Sequence, residues 1–376
     1  MSKIAIISLS NLSQDPRVYR QIDALNNEYK IITAGLAPCG IVEVPFFQLH
    51  YFGQKIYQRA LLMKFSKNYE HFYWRYGNFQ DLGKYLIQEK PDIIIANDIE
   101  MLPVALIYKE KAKIIFDAHE YSPLEYEESF LFRFFFKEYK KYLVDKYVPF
   151  VDKMITVSEG ISKQYYKDTC IKSIVITNAP DFQNLSPTHV NPGKIRLVHH
   201  GAAHPSRKIE LEINLMNYLD PSLYELHLFL VPSECRYVRN LKKLALEKSN
   251  IFFHEPVQMK MLANTINQYD IGVYLLPPAN FNNEFALPNK FFEFIQARLA
   301  IAIGPSPEMA DYVNKFNLGV VSSDFNPKNL ANAINSMSYQ TIMHHKENAH
   351  NIAKKFCSKE NQTIIKSIVK EIIENR

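Results

Sequence analysis

Short runs of wholly apolar residues recur along this chain, each closing on a glycine or a polar residue. They restrict the fold more than any other feature. One set lies at 4–9, 30–35, 92–98, 113–120, 153–159 and 173–178, and a second at 195–201, 226–231, 250–254, 271–276, 300–304 and 318–323. A strand with one wet face alternates apolar and polar residues, whereas a run that is apolar throughout suits a parallel strand covered on both faces. Segments with helical spacing, such as 17–27 and 206–218, separate most of the runs. Strands alternating with helices predict doubly wound α/β architecture, and two sets of runs predict it twice.

The sets are parted by 179–193, where Pro180, Pro187 and Pro192 interrupt any regular element. A chain of 376 residues is too long for one ordinary core. The expected organisation is a Rossmann-like domain at 1–180, a linker at 181–194, a second such domain at 195–353, and a final helix at 354–376. That helix carries Ile364, Ile365, Ile368, Val369 and Ile372 on one side, and is expected to return to the first domain.

Composition excludes several classes. With 47% apolar and 22% charged residues the chain is globular, and a net charge of +5 is too small for its length to indicate a nucleic-acid partner. Cys39, Cys170, Cys235 and Cys357 lie far apart with no CxxC pair, a reduced pattern and not a disulfide framework. Met1-Ser2-Lys3 leads straight into an apolar run of a few residues, so neither a signal peptide nor a membrane span is expected. The expected location is cytoplasmic.

Ligands of open α/β sheets bind beyond the carboxyl ends of the strands, so the polar residues there are the candidates. In the second half they include His199, His200 and Gly201, then His254 and Glu255, and the stretch from Glu284 to Met309. Pro288 suits a first helical turn. Asn289, Lys290 and Glu293 then share one face of an otherwise apolar helix. Such a stripe faces a ligand, or it is a Lys290–Glu293 surface ion pair; the stripe alone allows both. Arg207 and Lys208 follow Gly201 at what reads as a helix start, where the macrodipole disfavours cations. His199, His200 and His204 could suggest zinc. Adjacent histidines on a strand point to opposite faces, however, and no cysteine or acidic residue has supporting spacing, so no metal site is expected. In the first half the strand ends carry Asn11, Asp15 and Arg17, then Asn97 and Asp98, then Asp117, His119 and Glu120. No GxGxxG follows any strand, which argues against a dinucleotide oxidoreductase.

The segment Leu287-Pro288-Asn289-Lys290-Phe291-Phe292-Glu293, followed by 300–304 and Pro307-Glu308-Met309, resembles the sugar-nucleotide-binding segment of family 4 glycosyltransferases. Asp15-Pro16-Arg17-Val18, Asn97-Asp98, Asp117 to Glu120, Ser158-Glu159-Gly160, Thr177-Asn178-Ala179 and Gly201 to Lys208 resemble other family segments, in family order. The resemblance implies the GT-B fold, two doubly wound Rossmann-like domains facing across a cleft. It further implies a retaining enzyme of bacterial polysaccharide or lipopolysaccharide biosynthesis. Such an enzyme moves a sugar from a UDP- or GDP-linked donor to a glycan or lipid-linked acceptor without metal or cofactor.

By the same resemblance, the helix start at Pro288, Asn289 and Lys290 faces the donor diphosphate, together with Gly201, Arg207 and Lys208. Glu293 would hold the ribose, with the base near Glu255 and Val257. Asn11, Asp15, Arg17, Asn97, Asp98, His119 and Glu120 would meet the acceptor. The implied catalytic set is His119, Arg207, Lys208 and Glu293, with front-face attack and the leaving diphosphate taking the acceptor's proton. Cations aimed at a departing diphosphate stabilise the transition state more than the ground state. One departure stands out: the family carries two glutamates eight apart, and here the earlier position is Phe285, beside Glu284. That keeps open a non-catalytic nucleotide-sugar-binding scaffold, and an epimerase on the same fold is the other rival.

Residues 129–150 mix Phe132, Phe134, Phe135 and Phe136 with Arg133, Lys137, Lys140, Lys141 and Lys146. Residues 51–76 add Lys55, Arg59, Lys64, Lys67, Arg75 and Trp74. This is either a face for an anionic membrane surface, making the protein peripheral on the inner face of the cytoplasmic membrane, or phenylalanines in the core with a solvated basic back.

Overall fold

The computed structural model describes every residue except Phe52, Gln54, Lys55, Ser233, Glu234 and Arg376. Lys55 of the basic segment 51–76 thus lies outside the described residues. The chain divides into two compact units. The first comprises Met1–Thr177, Asn280–Asn282 and Asn361–Arg376; the second comprises Asn178–Ala279 and Asn283–Glu360.

The first unit contains strands β1 (Lys3–Ile7), β2 (Lys30–Gly35), β3 (Phe46–Gln48), β4 (Ile93–Asn97), β5 (Lys113–Ala118), β6 (Lys153–Thr156) and β7 (Ser173–Val175). They form one sheet in the order β3-β2-β1-β4-β5-β6-β7, parallel throughout. Ile93, Ile94 and Ile95 have no exposure at all, as a strand covered on both faces requires. Sequence reading misses β3, an edge strand of half-buried phenylalanines after Pro45, too short to register as an apolar run. The helix Pro16–Asn26 starts on Asp15, whose carboxylate accepts from the N–H groups of Arg17 at 3.1 Å and Val18 at 3.2 Å. The last helix, Ser358–Glu374, lays Ile365, Ile368, Val369 and Ile372 into the same cluster as Ile4, Ile6, Val18 and Ile22. Each such side chain contributes about 1.5–3 kcal/mol on burial.

The second unit contains β8 (Ile195–Ala203), β9 (Tyr224–Pro232), β10 (Ile251–His254), β11 (Ile271–Tyr274), β12 (Ala300–Ile303) and β13 (Gly319–Val321). Their order is β10-β9-β8-β11-β12-β13, again all parallel. Residues 179–190 have no regular structure, yet they are tied down. Gln183 N–H donates to Gln296 Oε1 at 3.0 Å, Arg298 donates to Leu185 O at 3.2 Å, and Lys346 Nζ donates to Thr188 Oγ1 at 2.9 Å. Arg298 and Lys346 are themselves fully buried. In each sheet the strand order reverses at one place, between β1 and β4 and between β8 and β11. Those are the switch points, where a crevice opens beyond the strand ends.

Among the described residues, no helix is long and apolar enough to cross a membrane. The basic segment 129–150 divides in two. Phe132 is buried, and Lys140 is buried with it, paired to Glu100 and to Glu125. Lys141 pairs with Asp145, and Lys146 with Glu70 at 2.8 Å. Lys140 is therefore an internal ion-pair partner and not part of a basic face. Phe130 and Leu131 remain exposed, as do Leu62 and Phe65 of the helix Ile56–Ser66.

Candidate functional site

The second unit's switch point gathers His199, His200, Gly201, Arg207, Lys290 and Glu293 from the expected set, together with Glu212 and Tyr274. β8 carries His199, His200 and Gly201 in its second half, and β11 ends in Tyr274. Gly201 has φ +109, which side-chain-bearing residues rarely adopt; a Cβ there would lie 3.6 Å from Lys290 Cε. The chain then turns through Pro205–Arg207, Lys208 takes a left-handed conformation at φ 53, and a helix runs over Glu210–Leu215. The continuous helix expected over 206–218 does not form, because left-handed Lys208 ends the short turn Pro205–Arg207 before the helix Glu210–Leu215 begins. This break separates the two cations. Arg207 Nη1 donates to the Tyr274 hydroxyl at 3.0 Å, whereas the Lys208 side chain is exposed.

Lys290 comes from the helix Asn289–Gln296. Pro288 sits just outside it in extended conformation, φ −76 and ψ 158, one position earlier than expected; its carbonyl accepts from Phe291 N–H. The helix lies close to the sheet because Gly272 on β11 has no Cβ. One there would meet the Phe294 ring at 2.5 Å. Lys290 Nζ stands 4.3 Å from the centre of the Tyr274 ring and donates to His199 Nε2 at 2.7 Å. Glu293, one turn on, is buried with its carboxylate 3.5 Å from His200 Nε2. The reading of Lys290 and Glu293 as a surface ion pair therefore falls: both face the end of β8. Behind them the fully buried Glu212 accepts from His199 Nδ1 at 2.8 Å and from Leu275 N–H at 3.2 Å.

Burial governs the electrostatics. Desolvation pushes Lys290 down to about 7, with Arg207 acting in the same direction and Glu212 and Glu293 against it. Burial also lowers His199, despite Glu212. It holds His200 well below the usual histidine range, helped by Lys290 and His199. Two basic side chains meeting on one tyrosine suit an arriving anion. Glu255 is exposed beyond β10, and Val257 packs half-buried against the core. His204 binds Ser206 Oγ at 2.8 Å through Nδ1, apart from the other two histidines.

In the first unit, β4 ends in Asn97 with Asp98 just beyond it, and β5 leads into His119. His119 Nε2 lies 3.2 Å from Asn97 Oδ1, and its Nδ1 is 3.5 Å from Asp98 Oδ2. Asp98 has φ 63 and ψ 161, a backbone strain of the kind found at functional sites. Burial raises its carboxyl to about 6, with His119 opposing. Asp117 is fully buried. Arg17 brackets it with Nε at 2.9 Å and Nη2 at 2.6 Å, and gives Nη1 to Ile176 O at 2.8 Å. Asp15 is the helix cap already described. Asn11 turns its own loop, accepting from Ser13 N–H at 3.2 Å. Glu120 is exposed.

Glu212 and Tyr274 were absent from the expected set, and His199 entered it only as a strand end. Glu212 was detectable as an acid on the stripe of Ile209 and Met216, three and four residues away. Tyr274 was one more aromatic inside an apolar run and gave no signal.

No family model matches the chain, and no curated protein matches it either. Solved structures do match. Sucrose-phosphate synthase from Thermosynechococcus elongatus superposes with a TM-score of 0.76 at 12% identity, over 100% of both chains. The fold is GT-B. A glycosyltransferase from Rickettsia africae matches with a TM-score of 0.71 at 12% identity, over 100% of this chain and 99% of that one. HepE of Anabaena, solved in complex with UDP-glucose, matches with 0.71 at 14% identity, over 99% of this chain and 100% of its own.

Proposed function

We propose that this protein is a glycosyltransferase that takes a sugar from a nucleotide-sugar donor. The observation that carries this reading is the meeting of Arg207 and Lys290 on Tyr274, at the switch point of a GT-B unit and beside Gly201. HepE, a structure of the same fold solved with UDP-glucose, supports it. In this reading Arg207, Lys290 and the N–H groups opening the helix at Asn289 hold the donor diphosphate, and exposed Lys208 adds charge from the rim. Glu293 takes the ribose, next to the His200 Nε2 that lacks a hydrogen-bond partner. Val257 and Glu255 flank the base.

The finer reading follows the family resemblance. The enzyme is a hexosyltransferase of family 4 working with retention and without metal. The leaving diphosphate, neutralised by Arg207 and Lys290, accepts the acceptor's proton. A glycan or lipid-linked acceptor of polysaccharide or lipopolysaccharide synthesis binds at His119, Asn97, Asp98 and Glu120, with Asn11, Asp15 and Arg17 shaping the strand ends around them. The exposed apolar residues of the first unit rest on the inner face of the cytoplasmic membrane.

The test is thermal stability with UDP, GDP, ADP and CMP. One nucleotide at about 100 times its Kd should add about 2.7 kcal/mol, a rise of several degrees at most. Arg207→Ala should abolish that rise and lower turnover by about 100-fold or more. Full turnover in Arg207→Ala would remove it from the mechanism. Stabilisation by a nucleotide with no transfer to any acceptor would instead favour a non-catalytic binding protein, the reading that Phe285 motivates.

A further inference from the structure

Lys290 does not stand alone behind the proposed diphosphate position. Glu212, held by the Leu275 N–H, accepts from His199 Nδ1, so the imidazole proton sits on Nδ1 and Nε2 is left as an acceptor. Lys290 Nζ donates to that Nε2. A lysine can make this contact as an amine or as an ammonium, because either form carries a hydrogen to donate. On its other sides are the Tyr274 ring, Arg207 bound to the Tyr274 hydroxyl, Glu293 one turn along its own helix, and His200 on β8. Toward Gly201 no side chain stands, and a Cβ there would lie 3.9 Å from Lys290 Nζ.

We propose that Glu212, His199 and Lys290 form a relay that couples anion binding to proton uptake. In it Lys290 is an amine in the empty site and becomes an ammonium shared between His199 Nε2 and a phosphate oxygen when a nucleoside diphosphate arrives. His199 is the positioning residue that aims it. This rests on the donor-site reading given above. One proton moves from solvent onto the Nζ lone pair, no covalent bond breaks, and the proton returns to solvent when the nucleoside diphosphate leaves. The physical cause is the same on both sides. Desolvation and the Arg207 charge disfavour an ammonium in the empty site, and a bound diphosphate reverses that balance. Burial keeps His199 neutral, which leaves its Nε2 free to accept.

Calorimetric titration with UDP, and with GDP in parallel, tests this at about pH 8.5, between the titration of a desolvated lysine and that of an ordinary one. Run in Tris and in Bicine, whose ionisation enthalpies differ, it should report close to one proton taken up per nucleotide bound. His199→Gln should retain the uptake, because the glutamine oxygen can stand where Nε2 accepts. His199→Asn, which reaches only as far as Glu212, should bind about tenfold more weakly and lose most of it. Binding with no uptake would overturn the relay and leave the donor site standing. No binding of either nucleotide would overturn the donor-site reading and the relay with it. The relay also has a test in the empty protein. Reductive methylation at Lys290, followed against pH by mass spectrometry, should show a midpoint near neutrality, and a midpoint near that of free lysine would sink the relay whichever nucleotide the site takes. Should His199→Asn fail to fold, the methylation profile of the unaltered protein decides.

Discussion

Two buried charges carry the most consequence at the scale of single residues. Asp117 has no exposed surface, and Arg17 brackets its carboxylate. Removing one partner of such a pair strands the other, which costs about 3–5 kcal/mol. Arg17→Met should therefore lower stability by about that much in denaturant unfolding, and Arg17→Met/Asp117→Asn should recover a large part; a single-variant loss below about 1 kcal/mol would show the bracket to be dispensable. Lys290 acts through pH. Its pKa falls to about 7 in the folded protein, against roughly 10.4 in an unfolded chain. Between those values the unfolded state binds more protons, so through this group stability rises with pH across that window, and the penalty is complete below about 7. Lys290→Met should consequently be the more stable protein at pH 6, with its lead in melting temperature shrinking steadily toward pH 10. A lead that does not change with pH would mean that Lys290 is not desolvated. The sequence marks both lysine and arginine as candidates. It does not reveal that Lys290 lies against a histidine, because that contact joins residues 91 positions apart.

Among the elements, the helix Asn289–Gln296 decides whether the site exists. Its register on the sheet depends on the Phe294 ring occupying the space a Gly272 side chain would fill. A Cβ 2.5 Å from ring carbons forces the helix outward; such overpacking costs about 1–3 kcal/mol. Gly272→Ala should lose that much in stability and also weaken nucleotide binding, since Lys290 and Glu293 ride on the same helix. Lost stability with unchanged binding would place the strain elsewhere. The stripe of Asn289, Lys290 and Glu293 was legible from spacing alone, and the apolar runs at 271–276 and 300–304 were legible as the strands beneath. The segment after Gly201 was less so. Helical spacing over 206–218 was real, but left-handed Lys208 interrupts it, and Arg207 just before that break reaches Tyr274.

For the molecule as a whole, the open question is what the first unit's surface meets. Leu62, Phe65 and Phe130 are 72%, 78% and 68% exposed. Their helices, Ile56–Ser66 and Phe130–Phe135, touch through Tyr57 and Phe135 with ring centres 5.7 Å apart. Arg59, Lys67, Arg133 and Lys137 lie exposed among them. An apolar patch with a basic rim favours an anionic bilayer. The protein should sediment with anionic vesicles, salt should release it, and Phe65→Ser/Phe130→Ser should weaken the association. Failure to sediment at low salt would dispose of the membrane proposal. Lys140, which composition alone counts toward this face, is absent from it because Glu100 and Glu125 hold it inside.

Local pattern by itself determined the architecture. Short runs apolar on both faces suit buried strands, and helical segments between them leave two parallel sheets as the economical packing. It also determined which strand ends carry charge and that the last helix has one apolar side. Tertiary structure alone decided how those charges behave. It set Lys290 against His199 and Tyr274, withdrew Glu212 behind them, gave Asp15 and Arg17 a cap and a buried ion pair, and took Lys140 indoors. The reason is physical: the period of a strand or helix is written in neighbouring residues, whereas a pKa or an ion pair depends on desolvation and on partners far away in the chain.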